Sequence, residues 1–454
     1  MDRVLTVFLV LVLVCCEISG CQSNTAVVEN EVWTDYDSRM VGGSCMFAET
    51  EKSYYFVADT FQTCLLRRYD KSTKECSIFC DDKKCSHDSD ECSAYLPGAF
   101  FGLSFYGGSL YWVGSASAQI EDWNHLVLWK MDPNTKEKTV AKELDYDTLC
   151  STYNVQRFDL HQGKLYAVCA LSNDVDEVRS TIITLLSSSI EGEDGFEVCF
   201  EENYDDLAGV NVKYCENKIY MVINHVWTEI FTVRNNDGSE REYYRPHYFA
   251  EAFCYDASIG ETEKIFGRED CPEELYVRDF IPVTQESGAL TELVLASNDE
   301  ETGLVYRYKD GAFSEWYRFG TEESATENGA AYKTVLTTTD SIFAVSKQGT
   351  NDYRIWIIDL NGDTVYQGSL PLSHMDEREG KLKERNITFL GGDKENFYFG
   401  ILEIMEGSSQ KQKESDGSLY YYEMQYVLEN GEIQETVLWE SGEIVQDHTG
   451  EPWR

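Results

Sequence analysis

The sequence has few basic residues. Lys and Arg number 38 against 81 Asp and Glu, for a formal net charge of -43. Such a chain repels the phosphates of a nucleic acid, which excludes nucleic-acid binding. Proline is scarce too, at 7 residues, and collagen-like and proline-rich classes are excluded. Apolar residues make up 42% of the 454 positions and aromatic residues 13%, enough for a large core in a folded protein.

Familiar catalytic motifs are also missing. None of the 7 histidines belongs to a His-Glu-x-x-His motif, and there is neither a Gly-x-Ser-x-Gly elbow nor a glycine-rich phosphate loop. A pair of catalytic carboxylates cannot be picked out among 81 acids, because the distance between the two groups is the signal. We therefore expect no catalysis. The alternative is an extracellular carbohydrate-active enzyme, a glycosidase or a lyase.

The N-terminus predicts export. An apolar run of thirteen residues, Val4–Cys16, is too short for a bilayer, which needs about 20, but suits a signal peptide. It leads into Ile18-Ser19-Gly20-Cys21, which resembles the bacterial lipobox. The resemblance implies that Cys21 carries acyl chains such as palmitate, which hold the protein on the outer face of the cell membrane. The alternative is an ordinary secreted protein. The predicted segments are a signal peptide over 1–20, a lipidated tether over 21–31 and one folded domain over 32–454.

One pattern recurs along the chain, in which an aromatic-rich apolar strand follows a turn and precedes a second alternating strand. The mean spacing is about 57 residues per copy, which fits a four-stranded propeller blade. Seven copies of the apolar strand can be aligned: Ser53–Val57, Leu110–Val113, Leu165–Val168, Ile219–Val222, Leu293–Ala296, Ile342–Val345 and Phe397–Phe399.

The repeat predicts an all-β fold, a β-propeller of seven blades, with six or eight as alternatives and a β-sandwich as the rival. Tight hairpins are expected at Asp237-Gly238, Asp310-Gly311, Asn361-Gly362, Asp416-Gly417 and Asn430-Gly431. To close the ring, we expect a strand over Val28–Asp35 or over Ile433–Trp439 to complete the blade supplied by the opposite terminus. We expect a monomer.

Cysteines are concentrated in the first part of the body. Twelve lie between Cys45 and Cys271, and none follows. Four crowd into a cysteine-rich insertion over 76–92, namely Cys76, Cys80, Cys85 and Cys92. In an exported protein two disulfides could order this polar segment, so the four are disulfide candidates.

The alternative for the insertion is a metal site. Cys80, Cys85, His87 and Cys92 offer the Cys₃His set that binds zinc, although Cys-x₄-Cys-x-His departs from the usual Cys-x₂-Cys spacing. We predict no cofactor, with zinc as the alternative.

Together, the lipobox, the acidic repeats and the Cys80–Cys92 segment resemble a group of uncharacterised cell-surface lipoproteins of anaerobic Firmicutes with a Cys-x₄-Cys-x-His-x₄-Cys stretch. The Leu110-Tyr111-Trp112 copy is similar to YWTD-type propeller repeats, although Val113-Gly114 stands in place of Thr-Asp. The resemblance implies a location and a fold, and implies no activity.

The longest predicted hairpin, Ile223–Phe249, is the candidate binding site. It carries aromatic side chains together with polar groups that could orient a ligand. A second long hairpin, Ile401–Tyr420, has a polar tip and is less suited. The alternative is that the aromatics pack on the neighbouring blade. We predict a lipid-anchored binding or scaffolding module for a glycan or a surface protein, with these binding residues: Trp227, Tyr243, Tyr244, Arg245 and His247.

Overall fold

The fold comes from a computed structural model of the chain. It describes residues 47–59, 64–89, 91–96, 100–116, 125–175, 178–192, 194–234, 240–285, 288–298, 303–319, 332–338, 340–348, 352–372, 382–405, 418–441 and 444–445. The predicted signal peptide, Cys21 and the possible closing strand Val28–Asp35 lie outside these residues. Within them, no helix is both long and apolar enough to cross a bilayer.

The described strands form seven antiparallel sheets in chain order, which are the blades of the propeller. Blade 1 contains β1 Phe47–Glu49, β2 Ser53–Asp59, β3 Cys64–Asp70, β4 Glu75–Ile78 and β5 Tyr95–Leu96. Blade 2 contains β6 Phe100–Tyr106, β7 Ser109–Ser115, β8 Leu126–Met131 and β9 Lys138–Leu144. Blade 3 contains β10 Val155–His161, β11 Lys164–Val175, β12 Val178–Ser189 and β13 Glu197–Tyr204. One helical turn, Asp147–Thr152, joins blades 2 and 3.

The remaining blades repeat the same order. Blade 4 contains β14 Leu207–Cys215, β15 Lys218–Arg234, β16 Glu240–Asp256 and β17 Glu261–Phe266. Blade 5 contains β18 Val277–Thr284, β19 Leu290–Asn298, β20 Gly303–Lys309 and β21 Ala312–Arg318. Blade 6 contains β22 Tyr332–Thr337, β23 Ser341–Gln348, β24 Asp352–Asp359 and β25 Thr364–Ser369. Blade 7 contains β26 Leu382–Gly392, β27 Asn396–Met405, β28 Ser418–Glu429, β29 Glu432–Glu440 and β30 Ile444–Val445.

Seven buried clusters join each blade to the next, and together they close the ring. Six of them lie between blades that are consecutive in sequence. The seventh, the closing seam, joins blade 1 to blade 7 through Phe47, Tyr54 and Phe56 on one side and Tyr398 and Trp439 on the other. Since every blade is covered on both faces by its neighbours, no sheet has to leave an apolar face in water.

The seven predicted apolar strands are confirmed as the second strands of the seven blades. In Ser109–Ser115 every residue is buried, because a blade between two others has no solvent face. The first strands of neighbouring blades, such as β14 and β18, lie against each other and form the inner wall.

Two of the three turn predictions that the structure describes in full are confirmed. Asp310-Gly311 and Asn430-Gly431 both have positive φ at both positions, as a type I′ hairpin turn requires. At Asn361-Gly362 only the glycine has positive φ, and the Asp359 carboxylate accepts the backbone N–H groups of Asn361 and Asp363 in a longer turn. Asp237-Gly238 and Asp416-Gly417 lie outside the described residues.

One expectation about closure is wrong. The Ile433–Trp439 segment does not complete the first blade, because Glu432–Glu440 pairs with β28 as the fourth strand of blade 7. Blades 1 and 7 are joined instead by side chains. The ring of Phe47 lies 4.6 Å from that of Tyr398, and Gln425 donates a hydrogen bond to the Tyr54 hydroxyl at 2.9 Å.

One face of the propeller carries the two regions that depart from the regular blade, namely the cysteine-rich insertion of blade 1 and the long hairpin of blade 4. The chain passes from the last strand of a blade to the first strand of the next on this side, and the hairpins between second and third strands point the same way. In blade 4, for example, Val226 near the hairpin pairs with Leu207, the first residue of β14. We call this side the linker face.

Candidate functional site

The hairpin of blade 4 extends past its sheet on the linker face. Strands β15 and β16 are 17 residues long each, and they pair with each other as far as Arg234 and Glu240. Beyond Val226, β15 has no partner in β14. The projecting part, Trp227–His247, is called the arm below, and its described residues are 227–234 and 240–247.

One surface of the arm carries stacked pairs. Trp227 stacks on His247 with ring centroids 4.3 Å apart, and Phe231 stacks on Tyr243 at 5.7 Å. Between the two pairs, the guanidinium of Arg245 lies 5.9 Å from the centre of the Phe231 ring. Four of the five predicted binding residues therefore share this surface.

Tyr244, the fifth predicted residue, belongs to the opposite surface, because successive residues of a strand point to opposite sides. It pairs with Ile230 across the hairpin. Tyr244 is 64% exposed and Ile230 is 60% exposed, so apolar side chains face water on both surfaces of the arm.

His247 has a positioning role. Its Nδ1 lies 2.5 Å from Glu274 and its Nε2 lies 3.3 Å from Glu229. The hydrogen bond to Glu274 raises the pKa of His247, so this imidazole favours its charged form. The two carboxylates fix the ring on which Trp227 stacks, and the Trp227 side chain is itself 39% exposed.

At the base of the arm, His225 is buried among aromatic and acidic side chains. Its ring stacks on Phe249 at 4.2 Å, and its Nδ1 lies 2.9 Å from the Asp206 carboxylate. Its Nε2 has no hydrogen-bond partner among the described residues and lies 4.0 Å from Glu251. A buried ring nitrogen without a partner marks a place where a ligand atom could bind.

Tyr204 lies beside His225 with its ring at 4.5 Å, edge to face. Its buried hydroxyl also lacks a hydrogen-bond partner within the described part of the chain. Burial, reinforced by the carboxylate of Glu251, raises the pKa of Tyr204 and keeps the hydroxyl protonated. Thr181 fixes the adjoining linker, since its hydroxyl donates to the Asp206 carbonyl at 2.9 Å and accepts from the Ala208 N–H at 3.1 Å.

Three adjoining pockets, of about 460, 470 and 380 Å³, form a continuous groove from the arm along β16. The first shares Trp227, Phe249 and Arg268 with one neighbour and Tyr204 and Glu251 with the other. Acidic residues outnumber Lys and Arg in the described lining by seven to two, and two histidines, His225 and His247, line it as well. The charged residues are Glu201, Glu202, Asp205, Asp206, Glu251, Glu273 and Glu274, against Lys264 and Arg268.

A separate pocket of about 490 Å³ opens at the inner wall, between the first strands of blades 3 to 5. Its described lining contains amides such as Asn211 and Asn224 and two guanidinium groups, Arg157 and Arg278, and no carboxylate. A pair of acids for glycoside cleavage is therefore not found in this lining.

The cysteine-rich insertion is the second irregular region of the linker face. All ten cysteines whose side chains are described are free thiols. The insertion brings Cys80, Cys85, His87 and Cys92 together, with their ligand atoms within 4.8 Å of one another. The His87 Nδ1 lies 3.2 Å from the Cys92 sulfur.

Cys76, the other disulfide candidate, is separated from this group. It packs against the closing seam with blade 7, whereas Cys80 and Cys85 pack against the core shared with blade 2. Arg67, rather than a second thiol, is its hydrogen-bonding neighbour. Cys76 therefore lies on one face of blade 1, and the three later cysteines lie on the other.

Sequence reasoning missed most of the groove. The acids at positions 206 and 251 and Arg268 are unremarkable among so many charged residues, and no motif surrounds Tyr204. His225 lay inside the predicted hairpin, but only the structure shows that its side chain is buried at the base rather than presented on the arm.

Comparisons with known proteins found likeness to solved structures but no related family. No protein-family model and no curated protein matches the chain. Three solved structures illustrate the likeness. An acylaminoacyl peptidase from Pyrococcus horikoshii is 12% identical, over 89% of this chain and 54% of its own, with a TM-score of 0.41. The GH74 xyloglucanase from Xanthomonas campestris is 11% identical, over 85% of this chain and 58% of its own, with a TM-score of 0.37.

The third structure is an ulvan lyase from a new family of polysaccharide lyases, 9% identical over 87% of this chain and 96% of its own, with a TM-score of 0.40. The chain spans little more than half the length of the peptidase and the xyloglucanase. No activity can be transferred at this level of likeness, and the propeller assignment depends on the sheets and seams described above.

Proposed function

We propose that the protein is a lipid-anchored binding propeller of the bacterial cell surface, without catalysis, which recognises a cationic polypeptide segment of a partner protein. The observation that carries the proposal is the continuity between the exposed aromatic arm and the acid-lined groove at its base. Aromatic side chains supply contact area, and carboxylates supply charge selectivity.

Exposed apolar side chains on the arm support binding rather than folding. Trp227, Ile230, Phe231, Val233, Tyr243 and Tyr244 are each 38–64% exposed. Apolar side chains left in water on both surfaces of the arm cost solubility unless a partner covers them, and Trp and Tyr are among the residue types most enriched at the centres of protein interfaces.

Charge favours a polypeptide over a glycan as the partner. In the groove lining seven Asp and Glu residues outnumber two Lys and Arg residues and two histidines, and the whole chain has a formal net charge of -43. A segment with Lys or Arg side chains would be attracted to this groove, whereas an acidic glycan would be repelled. A neutral glycan remains an outcome of the test below.

Binding would be measured on the predicted folded domain, residues 32–454, with matched peptide libraries of cationic, neutral and acidic composition, alongside a glycan array. We expect cationic peptides to bind and raised salt to weaken the binding, because exposed charges are screened. Trp227→Ala and Glu251→Gln should each weaken binding by about tenfold or more, as hot-spot truncations do.

Ile259→Ala is the matched control, since Ile259 is 65% exposed on the turn after β16 and outside the arm. It should bind like the parent protein. Glycans bound in preference to peptides, or peptide binding that Trp227→Ala leaves unchanged, would overturn the proposed partner.

The lipid anchor has its own test. The sequence supports it through the Val4–Cys16 run and the Ser-Gly-Cys21 junction. Full-length protein made in a bacterial host should incorporate labelled palmitate and sediment with membranes, and Cys21→Ala should abolish both. Unlabelled parent protein in the soluble fraction would refute the anchor.

One observation favours a second candidate function, the carbohydrate-active enzyme. His225 lies between two carboxylates, with Asp206 at Nδ1 and Glu251 near Nε2, and Tyr204 adjoins it. An imidazole oriented by a carboxylate can take up or release a proton. Cleavage of any neutral polysaccharide that His225→Gln abolishes would establish this function in place of simple binding.

A further inference from the structure

We propose that Cys80, Cys85, His87 and Cys92 bind one zinc ion in a tetrahedral Cys₃His site that holds the link between blades 1 and 2. The proposal is independent of the binding function, because it concerns another part of the linker face.

Geometry is the first argument. The four ligand atoms lie within 4.8 Å of one another. In a tetrahedral site with Zn–S bonds of about 2.3 Å, two sulfurs lie about 3.8 Å apart, so only a small contraction brings all four atoms to bonding distance. Three thiolates and an imidazole form one of the standard ligand sets for structural zinc.

A disulfide explains the cluster less well. A bond between two of the three sulfurs would leave the third thiol and the imidazole without a role. His87 is part of the group, with its Nδ1 3.2 Å from the Cys92 sulfur, and it adopts positive φ, an uncommon conformation for a residue other than glycine. A zinc ion accounts for all four side chains at once.

The surrounding segment needs a cross-link. The described residues between β4 and β5 form no helix or strand, and of their side chains only Phe79, Cys92 and Ala94 are buried. Its two ends are attached to β3, where Phe79 N–H donates to the Leu66 carbonyl at 2.9 Å and Leu66 N–H donates to the Ala94 carbonyl at 2.8 Å. A long polar loop between such fixed ends loses conformational entropy on folding with little apolar burial in return, and an ion with four ligands compensates.

One lysine of blade 2 contacts the backbone at the end of the cluster. The Lys138 ammonium on β9 of blade 2 donates to the Cys92 carbonyl at 3.3 Å and to the Tyr95 carbonyl at 2.9 Å. A zinc ion with three thiolates and a neutral imidazole carries one net negative charge, which a nearby cation stabilises. The site therefore connects the loop of blade 1 to the outer strand of blade 2.

The test is metal analysis of the full chain, purified under nitrogen without chelator or tag. We expect about one zinc per chain, and Cys85→Ser and His87→Ala should each lose most of it. Cys76→Ser is the matched control, because it removes a thiol of the same insertion that faces the closing seam, and it should keep the zinc.

Two measurements on the parent protein guard against variants that fail to fold. Replacing the ion with Co²⁺ should give the thiolate charge-transfer and intense d–d bands of a tetrahedral site. Alkylation in denaturant with chelator and without reductant should modify Cys80, Cys85 and Cys92 together. Metal-free protein with two of these thiols protected from alkylation would establish a disulfide and overturn the zinc site. Zinc that stays bound in both Cys85→Ser and His87→Ala would also overturn the proposed site.

Discussion

The closing seam and the arm are built from the same residue types with opposite exposure. In the seam, the rings of Phe47, Tyr54, Tyr398 and Trp439 are each at most 7% exposed. In the arm, Trp227, Phe231, Tyr243 and Tyr244 are each at least 38% exposed. Aromatic content alone therefore does not separate a core from a binding surface.

What separates the two regions is coverage by a neighbouring blade. The seam side chains contact residues more than 340 positions away in sequence, as in the hydrogen bond from the Tyr398 hydroxyl to Glu49. The arm extends past the edge of its own sheet, and with respect to the described residues its apolar side chains are 38–64% exposed. Aromatic side chains in the seam stabilise the closed propeller, whereas those in the arm contribute little to its stability and are available to a partner.

Removing a seam ring should have the largest effect. Tyr398 is fully buried, with its ring 4.6 Å from Phe47 and 5.5 Å from Tyr54. Tyr398→Ala should lower the free energy of unfolding by about 3–5 kcal/mol, because a large cavity is left in the seam. Urea unfolding followed by tryptophan fluorescence measures this change.

Tyr398→Phe is the conservative control. It keeps the ring and removes the hydroxyl that bonds Asn396 and Glu49, so its cost should be nearer ~1 kcal/mol. Equal losses in the two variants would show that hydrogen bonds, and not ring packing, hold the seam together.

A carboxylate in the same seam should make stability depend on pH. Burial of Glu423 raises its pKa from 4.5 to about 8, opposed by the nearby Arg67. Between these values the folded protein keeps a proton that the unfolded chain has released, so the free energy of unfolding falls as pH rises through this window. The slope from this group is about 1.4 kcal/mol per pH unit, and it ends above the pKa of the folded state.

Glu423→Gln should remove that slope. The free energy of unfolding of the variant, relative to that of the parent protein, should therefore increase from about pH 5 to about pH 8. Glu432→Gln, at an exposed position on β29, is the control and should leave the slope unchanged. Denaturant unfolding at both pH values measures it, and a constant difference between Glu423→Gln and the parent would contradict the buried-acid account.

The smallest effect on stability is expected in the arm. Ile230→Ala and Tyr244→Ala should each change the free energy of unfolding by no more than ~0.5 kcal/mol, because both side chains are already in water. A loss above ~1 kcal/mol in the same urea assay would mean that the arm is part of the core and would remove the contrast with the seam.

Much of the fold could be predicted from the sequence because the propeller repeats a local signal. A strand such as Leu110–Val113, buried on both faces, is apolar throughout, and the turn at Asn430-Gly431 needs positive φ whatever surrounds it. Of the two segments expected to close the ring, Ile433–Trp439 was assigned the wrong partner, because a local pattern identifies a strand without identifying the strand that it pairs with.

The site was predictable in part. The unusual hairpin length located the arm, and strand periodicity already implies that Tyr243 and Tyr244 face opposite ways. The groove was not predictable, since Asp206 and Arg268 approach His225 and Phe249 only through the packing of a linker and a loop on blade 4.

The sequence by itself determined that this chain makes a series of small sheets of like pattern and includes one unusually long aromatic hairpin, because both follow from the local repeat. Only the tertiary structure decided which aromatics become core, which acids meet at His225, and that His87 rather than Cys76 joins the three thiols. The physical reason is that burial and ligand geometry depend on which blade lies opposite, and that neighbour is set by closure of the whole ring.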